Sequence, residues 1–110
     1  MSWGINATSW VHDGSTSAAL TNKSLLAAPG AGKAIYITDI NFTNEGAANT
    51  VQLLDGSGGT AIFSQYMAAN ASVTIALNTP IKLTTNTALC VTTTASDHAI
   101  VDVGCYVDQG

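Results

Sequence analysis

Two histidines, each beside an aspartate, are the residues of this chain best suited to acid–base chemistry. His12 precedes Asp13 near the start of the sequence, and Asp97 precedes His98 in a polar stretch close to its end. Adjacent side chains of an extended chain point to opposite sides, so neither pair forms a dyad by itself. A catalytic histidine also needs an orienting partner. We therefore expect both histidines to be solvated groups on turns, and we predict that the protein is not an enzyme.

Metal and phosphate sites are disfavoured for similar reasons. The sequence contains no C-x-x-C or H-x-x-x-H spacing for zinc, and its aspartates do not follow the calcium-loop spacing. A calcium site assembled from separate loops stays open. The run Pro29–Lys33 includes the letters GAGK, but Ala34 stands where a phosphate loop requires Ser or Thr, and a strand pattern follows instead of a helix. We predict no catalytic residue, no metal ligand and no cofactor.

The two cysteines, Cys90 and Cys105, flank the last predicted turn. In a hairpin centred on Ser96–Ala99 they would be near neighbours on one face, so a disulfide is geometrically possible. Because the sequence starts without a secretion signal, a pair of small buried thiols is favoured over a bridge.

Composition limits the partners that the protein can have. A chain of 110 residues with 46% apolar residues is long enough for one folded domain. Only 9% of its residues are charged, against about 25% in ordinary domains. Short uncharged polar groups must therefore form most of the exterior, which suits lasting contact with neighbouring subunits. With no arginine, three lysines and a net charge of −4, nucleic-acid binding is disfavoured, and no apolar run is long enough for a membrane span.

The stretch Lys33–Tyr66 organises the rest of the chain. β-Branched and aromatic residues predict three strands, and the polar clusters Asn44–Gly46 and Asp55–Gly59 predict hairpin turns between them. In the first strand the apolar residues change face, because Ile35 and Ile37 share one side whereas Ile40 and Phe42 share the other. Such a change requires burial on both sides or a β-bulge, and such bends let a strand pass between two sheets.

Further strand patterns follow along the chain. Apolar residues alternate with polar ones from Val73 to Leu77 and from Val101 to Val107, a short apolar strand is predicted over Ala88–Val91, and Pro80 indicates a strand start or a sheet edge. About eight strands at regular spacing and no convincing helix predict an all-β protein. We expect a two-sheet antiparallel sandwich of jelly-roll type, in preference to an immunoglobulin-like Greek key, over residues 18–110.

Residues 1–17 lack a sustained apolar period and are predicted to form an extended N-terminal arm. Trp3 and Trp10 are the exceptions in this polar segment, since indoles seek a partner surface. Both may fold back onto the sandwich of their own chain, or the arm may anchor on a neighbouring subunit. We take Trp3, Ile5 and Trp10 as the candidate contact residues.

Carbohydrate binding is the principal alternative that the residues leave open. Sugar-binding sandwiches expose aromatic platforms beside polar side chains, and Tyr36, Tyr66 and Tyr106 are the residues that could supply one. Each lies at a predicted strand position where packing explains it equally well. The discriminating observation is an exposed cluster of tyrosines.

The run SLLAAPGAGKAIYITDINFTNEGAANTVQLLDGSGGTAIFSQ, followed by NTPIKLTTNTALCVTTT, resembles small β-sandwich proteins found in the virions of tailed bacteriophages. The resemblance covers residues 24–107 and depends on overall texture, including the I-x-I-x-x-I strand and the L-x-D-G-x-G-G-T turn. It implies a structural virion protein, a capsid decoration (cement) protein that binds the outer shell and stabilises contacts between neighbouring capsid subunits.

The resemblance also implies partners and a location. The partners would be the major capsid protein and further copies of the chain in a homotrimer, with no nucleic acid and no membrane. The protein would be made in the host cytoplasm and would lie on the outer capsid surface of the virion. Similar modules serve in phage tails and fibres, so a tail, fibre or carbohydrate-binding module for host-surface attachment is the alternative. The family pattern supplies no catalytic residues.

Overall fold

A computed structural model describes residues 9–13, 21–94 and 99–110, with side chains described for 21–94 and 100–110. The described residues form strands and turns and contain no helix, which confirms the all-β class. In chain order the strands are β1 (Ser9–Asp13), β2 (Lys23–Leu26), β3 (Lys33–Asn44), β4 (Asn49–Asp55), β5 (Thr60–Met67), β6 (Ser72–Lys82), β7 (Leu89–Thr93) and β8 (Ala99–Gln109).

The strands form two antiparallel sheets, as predicted. The first sheet has the order β1-β8-β3-β6 and the second has the order β2-β7-β4-β5. The pairs β1–β8, β2–β7, β3–β6 and β4–β5 are nested, so the chain pairs with itself like one long hairpin whose midpoint is the β4–β5 turn. At this turn Gly56 and Gly58 adopt φ values of 90° and 69°, which glycine tolerates without steric cost.

Two predicted hairpins are wrong. β3 and β4 follow each other in sequence but lie in different sheets, and the same is true of β7 and β8. The first connection is held away from a hairpin by Asn44, whose Nδ2 donates to the carbonyl oxygens of Ala47 at 2.8 Å and Ala68 at 3.0 Å. The backbone N–H of Asn44 also donates to the carbonyl of Ala71 at 2.8 Å. The bonds to Ala68 and Ala71 tie the β3–β4 turn to the β5–β6 connection, whereas the bond to Ala47 lies within the turn.

The change of face in β3 is explained by a β-bulge at Thr38. The pairing with β8 skips this residue, because Ile37 is opposite Cys105 and Asp39 is opposite Gly104. The extra residue restores the phase of the alternation, so the apolar residues on both sides of it point into one core. Of the two explanations that the sequence leaves open, the structure has the bulge, but β3 stays within the first sheet on both sides of it and does not pass to the second. Thr38 itself is buried, and its Oγ1 donates to the carbonyl of Gly104 at 3.2 Å.

The core lies between the two sheets in a sandwich-like arrangement, and both sheets contribute to it. Phe42 of the first sheet is fully buried, and its ring centroid lies 6.1 Å from that of Phe63 in the second. Fully burying one such side chain contributes about 1.5–3 kcal/mol, so the inner faces dominate the stability. The buried cluster consists of Ile35, Ile37, Ile40, Phe42, Val51, Leu53, Met67, Leu83, Leu89, Val91, Val101, Val103 and Cys105.

Part of the predicted N-terminal arm lies in the sheet. β1 forms one edge of the first sheet, with Ser9 opposite Cys105 and Asp13 opposite Val101. Residues 1–8 and 14–17 lie outside the described residues, so the division of the chain at residues 17 and 18 stays a prediction.

Candidate functional site

Of the two histidine–aspartate pairs, the structure describes only the backbone of the first. His12 belongs to β1, where its backbone is opposite Asp102, so it does not lie on a turn as expected. Asp97 and His98 lie outside the described residues. Within the described ranges no group of three or more His, Cys, Asp or Glu side chains is arranged to hold a metal ion.

The GAGK loop uses its backbone groups within the fold. Gly30 and Gly32 have φ values of 113° and 76°, and the N–H of Lys33 donates to the carbonyl of Gly30 at 3.2 Å. The N–H of Gly30 donates to Oδ1 of Asn86 at 3.0 Å. Because the loop leads directly into β3, it lacks the helix N-terminus that orients a bound phosphate.

The cysteines are free thiols, and both are buried. Cys90 belongs to β7 in the second sheet and Cys105 to β8 in the first, so the predicted hairpin that would make them neighbours does not exist. The predicted pair of buried thiols is therefore confirmed. Burial raises the pKa of both thiols above its ordinary value, which disfavours the reactive thiolate.

The outer side of the second sheet carries a neutral polar surface, which we call the neutral face. Its residues alternate along β4, β5 and β7 with core residues, and Gln52 Nε2 donates to Ser64 Oγ at 3.3 Å across the β4–β5 pair. Tyr66 is the most exposed large apolar side chain of the described residues, at 64%. The strands of this sheet carry only two charged residues, Lys23 and Asp55, each at a strand end. The neutral face consists of Thr50, Gln52, Ser64, Tyr66 and Thr92.

The outer side of the first sheet is different and is called here the aromatic–acidic face. Tyr36 and Tyr106 are paired across β3 and β8, and their rings stack with centroids 4.9 Å apart and planes 5° apart. The hydroxyl of Tyr36 donates to the carbonyl of Gln109 at 2.6 Å. Burial, followed by the nearby Tyr36 and Asp108, raises the pKa of Tyr106. The face consists of Tyr36, Asp39, Asn41, Asp102, Tyr106 and Asp108.

The three tyrosines do not form one cluster. Tyr36 and Tyr106 stack on each other on the first sheet, so each covers one ring face of the other. Tyr66 lies on the outer side of the second sheet. The exposed cluster that would favour carbohydrate binding is therefore absent from the described residues. Among the residues whose side chains are described, only Tyr66 is an exposed aromatic ring beside hydroxyl and amide groups.

The candidate contact residues fall at the start of the chain. Trp10 lies in β1 with its backbone opposite Gly104. Trp3 and Ile5 lie outside the described residues, so their role stays a prediction.

Sequence reasoning predicted an uncharged polar exterior but did not identify the residues of the neutral face, although a signal for some of them is present. In T-V-Q-L, the polar residues Thr50 and Gln52 take every second position between apolar residues. In a strand that is buried on one side, these positions point outwards. Identifying which strands lie side by side, however, requires the sheet order.

Comparison with known proteins does not place the chain in a family. No family model matches it, and neither a characterised protein nor a solved structure does. Among the described residues, no helix has the length and apolar character needed to cross a membrane.

Proposed function

We propose that this protein is a capsid decoration protein, a structural component of a tailed-phage virion that acts without catalysis. It would bind the outer shell and stabilise contacts between neighbouring capsid subunits, with the major capsid protein and further copies of itself, as a homotrimer, as partners. The proposal includes a jelly-roll fold. Its support is the strand order, since a jelly roll has eight strands in two sheets that follow two Greek keys, and this architecture occurs in viral capsid domains.

The observation that carries the proposal is the neutral face. Removing hydroxyl and amide groups from water costs less than removing charges, and the central parts of protein interfaces are depleted of Lys, Glu and Asp. Tyr66 supplies an exposed aromatic ring of the kind that anchors interfaces. Repetition of such a face around a trimer raises the effective concentration of each contact, so individually weak contacts suffice.

The arm predicted over residues 1–17 provides a second contact. A deletion reaching to residue 12 would remove most of β1. Removal of residues 1–8 is the sharper test because it takes Trp3 and Ile5 and leaves the described strand in place.

The test is co-sedimentation of the protein with empty shells of its phage that were prepared without it. The variant Gln52→Lys with Ser64→Lys places two charges on the neutral face across a central and an edge strand. The matched control, Asn41→Lys with Thr43→Lys, places two charges on the outer side of the first sheet, on its central strand β3. We expect the control to bind like the wild type and the first variant to bind about tenfold or more weakly, about 1.4 kcal/mol.

Equal binding by both variants would mean that the neutral face does not bind the shell. Absence of wild-type protein from the shells would reject the capsid as partner.

The second candidate function, a tail, fibre or carbohydrate-binding module, is favoured by the position of Tyr66 beside Gln52 and Ser64. Gold-labelled antibody on the tail of purified virions, or a glycan-array signal abolished by Tyr66→Ser, would select that candidate.

A further inference from the structure

The core is open along one side of the molecule. β5 and β6 are edge strands of the two sheets, and they contact each other on the side opposite β1 and β2. Six apolar residues of these strands pack against the core but remain partly exposed, unlike the fully buried residues of the inner strands. We call this surface the apolar seam, and it consists of Ile62, Phe63, Val73, Ile75, Leu77 and Ile81.

The edge beside the seam has little of the protection that sheet edges normally carry. Edge strands are usually shortened, charged, bulged or interrupted by proline, because their unpaired backbone groups invite another strand. In β6, the four residues from Leu77 to Pro80 form a bulge opposite Thr38. This bulge protects the second half of the β6 edge from pairing with another strand. The preceding stretch, Ser72–Ala76, is regularly paired with β3 on one side, contains no charge and has no described strand on its other side.

The start of the chain has a sequence that matches this edge. Trp3, Ile5 and Ala7 take alternate positions, separated by Gly4 and Asn6, and residues 1–8 include no charged side chain. A strand with this period presents its apolar residues on one side. Adding a strand to an open edge gives backbone hydrogen bonds, while the alternate side chains occupy pockets beside it.

We propose that Trp3–Ala7 of one copy of the chain pairs with Ser72–Ala76 of a second copy, so that Trp3 and Ile5 cover the apolar seam. This inference rests on one part of the proposed function, the association of several copies of the chain. It does not depend on binding to the capsid. Because β1 and β6 are opposite edges of the same sheet, each copy offers its arm at one edge and its seam at the other. Such a head-to-tail contact closes into a ring when the rotation between copies permits it, as in a trimer.

The reach of the segment favours a second copy over its own chain. Residue 8 precedes Ser9 on β1, and β6 is three strands away, about 14 Å at about 4.8 Å per strand. At about 3.3 Å per residue, crossing the sheet would use about four of the eight residues. Residues 5–8, including Ile5, would then span the sheet, and residues 1–4 would be too few to cover the seam.

The test uses tryptophan fluorescence, because Trp10→Phe leaves Trp3 as the only tryptophan. In this full-length variant, without shells, we expect oligomers by sedimentation velocity and a blue-shifted Trp3 emission that moves to the red as dilution dissociates them. Ile75→Asn should weaken association at least tenfold and expose Trp3. Val107→Asn, which changes an exposed apolar residue of β8 outside both the neutral face and the apolar seam, is the matched control and should change neither property.

Three results would overturn the inference. The first is a blue shift that does not depend on concentration, which would mean that the segment covers its own chain. The second is a monomer with exposed Trp3 that becomes protected only on shells, which would leave the proposed function intact. The third is unchanged association in Ile75→Asn.

If Ile75→Asn loses its β circular dichroism, a synthetic peptide of residues 1–8 replaces it. This peptide should bind protein lacking residues 1–8, and the same peptide with Trp3→Gly and Ile5→Gly should bind at least tenfold more weakly. Equal binding of the two peptides would overturn the inference.

Discussion

The two sheets resemble each other where they meet and differ where they face solvent. Their inner sides contribute to one continuous apolar core. Outside, the first sheet carries a stacked tyrosine pair and the carboxylates of Asp39, Asp102 and Asp108, whereas the second carries hydroxyl and amide groups and one exposed tyrosine. The comparison indicates that the need for a stable core determines which residues lie on the inner faces. The residues of the outer faces are not constrained in this way and can differ according to what each face contacts.

Deletion of Thr38 should have the largest effect, because this residue decides which side of β3 faces the core. Without the bulge, either Ile35 and Ile37 or Ile40 and Phe42 turn to the outer side. Each lost burial costs about 1.5–3 kcal/mol, and a domain of this size has about 5–15 kcal/mol of stability in total. We expect circular dichroism to show no cooperative urea transition.

The control for this deletion is Thr38→Ser. It keeps the residue and the hydroxyl that donates to the carbonyl of Gly104, so it should remain folded. A deletion variant that unfolds at the wild-type urea midpoint would mean that the bulge does not set the two faces of the first sheet.

Substituting one tyrosine on each outer face compares what the two faces contribute to stability. Tyr106→Ala removes a stacked ring, and such pairs contribute about 0.5–1.5 kcal/mol beyond their burial. Tyr66→Ala removes a ring that is 64% exposed, and surface substitutions of this kind change stability by about 0.5 kcal/mol or less. Urea unfolding should therefore separate the two variants. If Tyr66→Ala were the more damaging change, the neutral face would have a role in folding rather than being free for contact.

Alkaline pH should produce the smallest effect and should involve both sheets. Burial raises the thiol pKa of Cys90 and Cys105 above 9.0, and the pKa of Tyr106 lies above 10.0. The folded chain thus holds these protons more tightly than the unfolded chain does, so stability is fully present below about pH 9 and falls as pH rises further. Urea midpoints at neutral pH and at about pH 10 measure this decline.

The double variant Cys90→Ala with Cys105→Ala separates the thiols from Tyr106. Its stability should fall less between the two pH values than that of the wild type. An equally steep fall in the variant would show that the thiols do not contribute.

Much of the fold could be predicted from the sequence because its causes are local. The period-2 apolar pattern and the turn residues located β3 to β8. The change of face in β3 predicted either burial on both sides or a bulge, and the structure has the bulge. The pairing of strands was harder. Asn44–Gly46 has the composition of a hairpin turn, but the bonds from Asn44 to Ala68 and Ala71 hold it in a crossing between sheets. Local turn chemistry does not contain that information.

The candidate surfaces were less predictable for the same reason. Polar residues such as Gln52 and Ser64 are twelve positions apart and become neighbours only through the register of β4 and β5. The stacking of Tyr36 on Tyr106 likewise depends on the pairing of two strands that are distant in sequence. A single sequence indicates which residues point outwards but does not indicate which of them share a surface.

The nested pairing of the strands constrains when the protein can fold during its synthesis. β3 has β8 on one side and β6 on the other, so the centre of the first sheet is incomplete until residues 99–109 have left the ribosome. Before then, the apolar side of β3 is present in the nascent chain without its final neighbour. Contacts this distant in sequence form slowly and leave apolar strands open to aggregation. The apolar side of β3 is therefore open to such misassociation until β8 has been made.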